Sequence, residues 1–167
     1  MTSVLWHQAT PIGQSTSPPS IDTVRVLRHD LPSNVDVAEL ASRCVVRARP
    51  TAPCRVAFLG TDRTLAVAAP LALSRAVNCV LDNAVRAAGP GRQVNVEVTG
   101  TDTEITIRVI DDGPGLAKVS SNSSLGLTIT RALVAACGGA FELRPGTESG
   151  MAARIALPTV RTGEMAP

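Results

Sequence analysis

Aromatic side chains make up only 2% of this 167-residue chain, which has one tryptophan, two phenylalanines and no tyrosine. A core of stacked rings is thereby excluded. The interior must be assembled from small aliphatic groups, and the 44% apolar content is enough for one sizeable domain. Lysine is reduced to Lys118, the formal net charge is only +2, and the arginines are scattered. No basic face is available to displace counterions from a phosphate backbone, so nucleic acid is not an expected partner. Cys44, Cys54, Cys79 and Cys137 include no CxxC pair, so they read as thiols of a reducing cytoplasm rather than as disulfides or metal ligands. The N-terminal MTSVLWHQAT does not set a basic region before an apolar stretch, as a secretory signal would. No apolar run is long enough to span a bilayer. The expectation is a cytoplasmic protein with no membrane span.

What is present has a readable order. Pro11 to Ser20 (PIGQSTSPPS) has the composition of a flexible leader. Val35 to Val46 places Val37, Leu40, Ala41 and Cys44 on one helical face, with Pro50 and Pro53 to stop it. Val56 to Leu59 and Leu65 to Ala68 read as a short hairpin or a pair of edge strands. Pro70 opens a long helix with Leu73, Val77, Val80, Leu81 and Ala84 as its apolar stripe, ended by Gly89-Pro90-Gly91. Val94 to Val98 and Ile105 to Val109 alternate about a Gly-Thr-Asp turn, which predicts a central antiparallel pair with one wet face. A second long helix, Leu125 to Cys137, ends at Gly138-Gly139, and Phe141 to Leu143 and Ala152 to Leu157 supply two last strands. Strands in runs with helices on one face make an α+β sandwich of two layers.

Within that order a few polar residues stand where chemistry is possible. Ile105, Ile107 and Val109 share a parity that, continued by two residues, turns Asp111 inward. A buried carboxylate needs a donor, either a ligand amine such as that of adenine or a neighbouring backbone N–H; an ordinary turn cap is the plainer alternative. Gly113 and Gly115, on either side of Pro114, let the chain turn sharply and let a flat ring approach the backbone. On the first long helix Cys79, Asn83 and Arg86 share a stripe beside the apolar one. Asn83 offers a neutral oxygen suited to a phosphate-held Mg²⁺ and Arg86 a partner for phosphate oxygens, although both would also suit a solvated face. Ser123 to Thr128 (SSLGLT) opens the second long helix, where a glycine lets backbone N–H groups point at an anion or merely allows close packing.

Together, RAVNCVLDNAVRAAG, VIDDGPGL, SLGLTITRALVAACGGAFELRP and GMAARIALP resemble, in order and spacing, the ATP-binding catalytic domain of bacterial sensor histidine kinases, of the gyrase/Hsp90/MutL superfamily. The resemblance runs from about Asn34 to Pro158. It divides the chain into a leader at 1–33, a catalytic domain at 34–160 and a tail at 161–167. The fold it implies is a two-layer α/β sandwich, α+β in class, with a mixed sheet and three helices on one face. It assigns Mg²⁺ coordination to Asn83, phosphate contact to Arg86, the adenine amine to Asp111 and the turn beside the base to Gly113 and Gly115. Ser124, Leu125, Gly126, Leu127 and Thr128 take the place of the glycine-containing phosphate element. The cofactors it implies are ATP and Mg²⁺, with Asn83 and Arg86 as the catalytic pair.

The departures from the family pattern are specific. Cys79 stands where the kinases carry Asn and the ATPases Glu, so no carboxylate there can activate water, which argues against independent hydrolysis. Ser124 replaces a glycine, the lid between Gly115 and Ser124 is short, and Met151 follows Gly150 where Thr is usual. The stretch before Asn34 is too short for a hairpin bearing a phosphoacceptor, and His29-Asp30-Leu31 runs at once into Pro32, so neither His29 nor His7 is expected to be one. The expectation is the ATP-binding half of a split two-component kinase, a protein histidine kinase acting on a His-containing dimerisation protein and, through it, a response regulator. An anti-sigma-factor-like serine kinase or switch protein, and a nucleotide-binding regulator that transfers nothing, are the rivals.

Overall fold

The computed structural model describes residues 30–61, 64–114, 123–146 and 149–160. Its elements are β1 (Ser33–Asp36), α1 (Val37–Ala48), a 3₁₀ turn (Arg49–Thr51), β2 (Arg55–Gly60), β3 (Leu65–Ala68), α2 (Pro70–Ala88), β4 (Gln93–Gly100), β5 (Glu104–Asp111), α3 (Ser123–Ala136), β6 (Ala140–Pro145) and β7 (Met151–Pro158). The expected leader up to residue 29 and the tail from 161, with His7 and His29, lie outside the described residues.

Five strands form one sheet in the order β2-β4-β5-β7-β6, and the three helices pack in sequence, α1 on α2 and α2 on α3. The chain is a two-layer α/β sandwich. The sheet is mixed because β2 pairs with β4 in parallel while the remaining pairs are antiparallel. A parallel pair cannot be closed by a tight turn, so β3 and α2 together make the crossover. Of the two expectations for these runs the hairpin is not formed, since β2 does not pair with β3, and the edge strands are: β2 lies at the edge of the larger sheet and β3 in a two-stranded one. Instead β3 pairs antiparallel with β1, a strand the alternation did not disclose because it is only four residues long. Asp36 ends β1 and caps α1, its Oδ1 accepting the N–H groups of Ala38 (3.1 Å) and Glu39 (3.2 Å), so the helix starts two residues later than expected.

Period-two burial on the sheet meets period-3.6 burial on the helices. Val94, Val96 and Val98 of β4, Ile105, Ile107 and Val109 of β5, and Ile155 and Leu157 of β7 are buried against Leu40 and Val45 of α1, Leu73, Val77 and Leu81 of α2, and Leu133 and Val134 of α3. The other sheet face is wet and laced with ion pairs, Arg108 to Glu97 at 3.3 Å and Arg154 to Glu104. Cys44 and Cys137 are buried and Cys54 and Cys79 half-buried, all four as free thiols. No described helix is long and apolar enough to cross a membrane.

The start of α2 is held from outside itself. Its N-cap position, Ala69, has no side chain able to cap, and Pro70 brings no N–H. The next two amides are taken by Asp30, whose Oδ1 accepts from Leu71 at 3.1 Å and whose Oδ2 accepts from Ala72 at 2.6 Å. The Cys137 thiol, at the end of α3, donates to the Ala69 carbonyl nearby (3.7 Å). Asp30 is buried, so the packed region reaches at least four residues before Asn34.

Candidate functional site

Alternation along β5 delivers Asp111 to the inner face of the sheet, in line with Ile105, Ile107 and Val109 as their parity requires, and leaves it 3% exposed. Its carboxylate is not orphaned. Oδ1 accepts the Gly113 N–H at 2.9 Å and Oδ2 the Met151 N–H at 3.3 Å. Each oxygen retains a further lone pair for an outside donor. Burial pushes the Asp111 carboxyl above the usual carboxylate range, the two backbone N–H groups pull it back in part, and neighbouring Asp112 adds to the rise. A folded carboxyl that holds its proton more tightly than the unfolded one makes stability fall as pH rises between the two values. Ionising this buried carboxyl therefore costs the fold stability.

Two glycines shape this pocket. A Cβ on Gly113 would lie 2.4 Å from the carbonyl oxygen of Ala87 in the last turn of α2. The glycine expected to admit a ring thus serves first to bring the Asp111 turn against that helix. Gly150 has φ +69°, and a Cβ there would lie 1.9 Å from the Asp111 carbonyl oxygen. Neither position accepts a side chain, and both crowding contacts fix the backbone around the carboxylate.

One turn before Ala87, about 6 Å along the helix axis, α2 carries Asn83, half-buried, whose Oδ1 accepts a hydrogen bond from Arg86. Gly126, near the start of α3, faces this amide: a Cβ there would lie 3.5 Å from Asn83 Nδ2, an ordinary contact. Close packing therefore does not by itself demand glycine at 126. Its carbonyl accepts the hydroxyl of buried Thr130 at 2.9 Å. Cys79 stands one turn before Asn83, half-buried, and burial pushes its thiol up, so it offers neither a carboxylate nor a thiolate beside the amide.

Of the residues picked out in the sequence, Asn83, Arg86 and Gly126 are brought together, and Asp111 and Gly113 form a second group at the same end of α2. Leu127 is half-buried and Thr128 exposed on α3. Gly115 and the side chains of Ser124 and Leu125 lie outside the described residues. The sequence marks Gly150-Met151 only as a departure from the family pattern, whereas in the structure the Met151 amide donates to Asp111. A glycine after Thr-Glu-Ser was the available sign of a positive φ, but its contact with Asp111 is made across two antiparallel strands. Asp112 anchors the turn to β4, its Oδ1 accepting from Gln93 N at 2.9 Å and its carbonyl from Arg92 Nη1 at 2.6 Å.

Residues 68–161, more than half of the chain, match the family described as histidine kinase-, DNA gyrase B- and HSP90-like ATPase. Among solved structures, a mycobacterial sensor histidine kinase, MprB, is 27% identical with a TM-score of 0.67, the match covering 77% of this chain and 97% of that one. The ATP-binding domain of PrrB from Mycobacterium tuberculosis is 23% identical with a TM-score of 0.66, covering 78% and 99%. The catalytic domain of histidine kinase ThkA is 15% identical with a TM-score of 0.68, covering 77% and 97%. These last two likenesses are of fold. No curated protein matches the chain in sequence.

Proposed function

The chain belongs to the histidine kinase-, DNA gyrase B- and HSP90-like ATPase family, and on that premise we propose that it is the ATP-binding catalytic subunit of a split two-component histidine kinase. It passes the γ-phosphoryl group of ATP to a histidine on a separate dimeric protein, and from there to a response regulator. The observation that carries this is the gathering of Asn83, Arg86 and Gly126 one helical turn from the Asp111–Gly113 turn. A phosphate-facing group and an adenine-facing group thus share one end of α2.

Asp111 accepts the adenine amine on the lone pairs that Gly113 and Met151 leave free. Arg86, the basic residue of the last turn of α2 and exposed, turns from Asn83 to the phosphates, and the N-terminal amides of α3 around Gly126 balance their charge. The residues present fit a magnesium ion carried by the nucleotide, because Asn83 supplies a neutral, hard oxygen that here accepts from that exposed arginine. When bound, such an ion neutralises charge on the β- and γ-phosphates. The partner's imidazole nitrogen forms the N–P bond as the bond from phosphorus to the bridging oxygen breaks. ADP leaves with the electron pair, and the other ring nitrogen releases its proton. The protein's part is positioning and charge balance.

The acceptor on another molecule is part of this proposal; no histidine lies among the described residues. Residues 34–160, with Asp30 as their anchor, form the proposed catalytic unit.

The test is phosphorylation of a His-hairpin protein from a neighbouring reading frame by this chain with Mg-ATP, read as acid-labile phosphohistidine that Asn83→Ala abolishes. Phosphoserine on the partner would instead indicate a serine kinase or switch protein. ATP binding with no label on any candidate would indicate a regulator that transfers nothing, for which the engagement of Asn83 by Arg86 already speaks.

A further inference from the structure

Away from the nucleotide end of α2, an open groove runs between α1 and the first half of α2. Leu40 and Cys44 of α1 meet Pro70 and Leu71 of α2 along its apolar floor. Leu71 is 61% exposed, and Leu31, next to the Asp30 that binds the Leu71 amide, is 78% exposed, so the apolar surface continues past the groove's end. From Pro70 to Asn78 the groove runs about 12 Å, the length of two helical turns.

Its walls are of one charge. Arg43 and Arg47 stand one turn apart on α1 and both line the groove. Arg43 has only an exposed pairing with Glu39 at 3.8 Å. Arg47, and Arg75 on the neighbouring stripe of α2, have no carboxylate partner among the described residues. Exposed Leu71 and Leu31 beside unbalanced arginines match an amphipathic helix whose apolar stripe is flanked by Asp and Glu. The sequence of this chain's own leader does not fit that description, because residues 22–29, DTVRVLRH, carry two arginines and one aspartate.

We propose that the α1–α2 groove docks an acidic amphipathic helix of a partner protein, with Leu40, Pro70 and Leu71 taking its apolar stripe and Arg43 and Arg47 its carboxylates. Ser74, on the groove, and Asn83 lie on one helix about 13 Å apart along its axis. A helix seated there is within reach of the phosphate end of α2, so the docked protein is the phosphoacceptor; that identification alone rests on the function proposed above.

Two synthetic helical peptides with the same leucine stripe, one flanked by glutamate and one by lysine, test the surface by amide chemical shifts on the full chain without nucleotide. The glutamate peptide is expected to shift amides within 40–47 and 71–78, and the lysine peptide is not. R43E/R47E, both exposed substitutions, should weaken the glutamate peptide at least tenfold while ATP binding is unchanged. Equal shifts with both peptides, shifts confined to other surfaces, or no shifts would overturn the proposal. So would a tenfold gain in peptide affinity on deleting residues 1–29, which would make the leader the occupant. Groove binding with no phosphoryl transfer to any His protein would sink the kinase reading and leave the groove standing.

Discussion

Asp111 carries opposing requirements: burial makes its charge costly to the fold, and the proposed recognition of adenine needs that charge. Replacing it by Asn removes a charge-assisted acceptor and sets an NH₂ against a backbone N–H, so ATP affinity should fall by a few kcal/mol at most, measured by calorimetry. In the natural chain affinity should decline as pH is lowered, starting above the pH at which an ordinary exposed carboxylate titrates, because burial raises this one. Asp111→Asn should abolish that dependence, and a pH profile identical in the two proteins would exclude the carboxylate from the pocket. Gly126 gives a complementary test. Alanine there meets only ordinary contact with Asn83 and has better helix propensity, so Gly126→Ala should leave the melting temperature unchanged or higher by up to about 1 kcal/mol of stability. If nucleotide binding nevertheless weakens, glycine is required at 126 by the phosphates and not by the fold. Gly150→Ala should act the other way, destabilising by about 2 kcal/mol or more through its positive φ and its contact with the Asp111 backbone, visible as a lower melting temperature.

At the scale of elements, α2 links everything with a functional reading, since its first turn is capped by Asp30 and its last two turns carry Asn83, Arg86 and the seat of Gly113. Asp30→Ala strands two amides at a buried helix start and should cost about 2 kcal/mol, with faster amide exchange in the first turn of α2. Asp30→Asn keeps one acceptor and should lose less. Unaltered exchange in both variants would mean that the segment before β1 does not hold the helix. The long helix itself was plain in the sequence: Pro70 at its start, the Leu73–Leu81 stripe and Gly89 at its end each act over one or two turns. Its cap was not, because the donor and acceptors lie more than forty residues apart.

For the whole molecule, the pairing of β2 with β4 illustrates the limit of local pattern. Two short apolar runs with Gly-Thr-Asp-Arg between them suit a hairpin as well as they suit separate sheets, and only the packing of α2 across the sheet makes the parallel crossover the lower in energy. The proposed phosphoryl transfer belongs to this scale too, since it needs two proteins. With no base at Cys79, the isolated chain should hydrolyse ATP slowly if at all, and a turnover rate without partner equal to that with one would contradict the division of labour.

By itself, then, the sequence determined the helices, the central antiparallel pair and the inward turn of Asp111, because helical stripes, caps and strand parity are written within a few residues of one another. The spacing of Asn83, Arg86 and Gly126 was visible there as well, though not their meeting. Tertiary structure alone decided that Gly126 faces Asn83, that Gly150 and the Met151 amide close on Asp111, that β1 pairs with β3, and that Asp30 starts α2. Each of these is a contact across long sequence separation. Its energy depends on where the sheet and helices bring two backbones together, and no local pattern of residues encodes that.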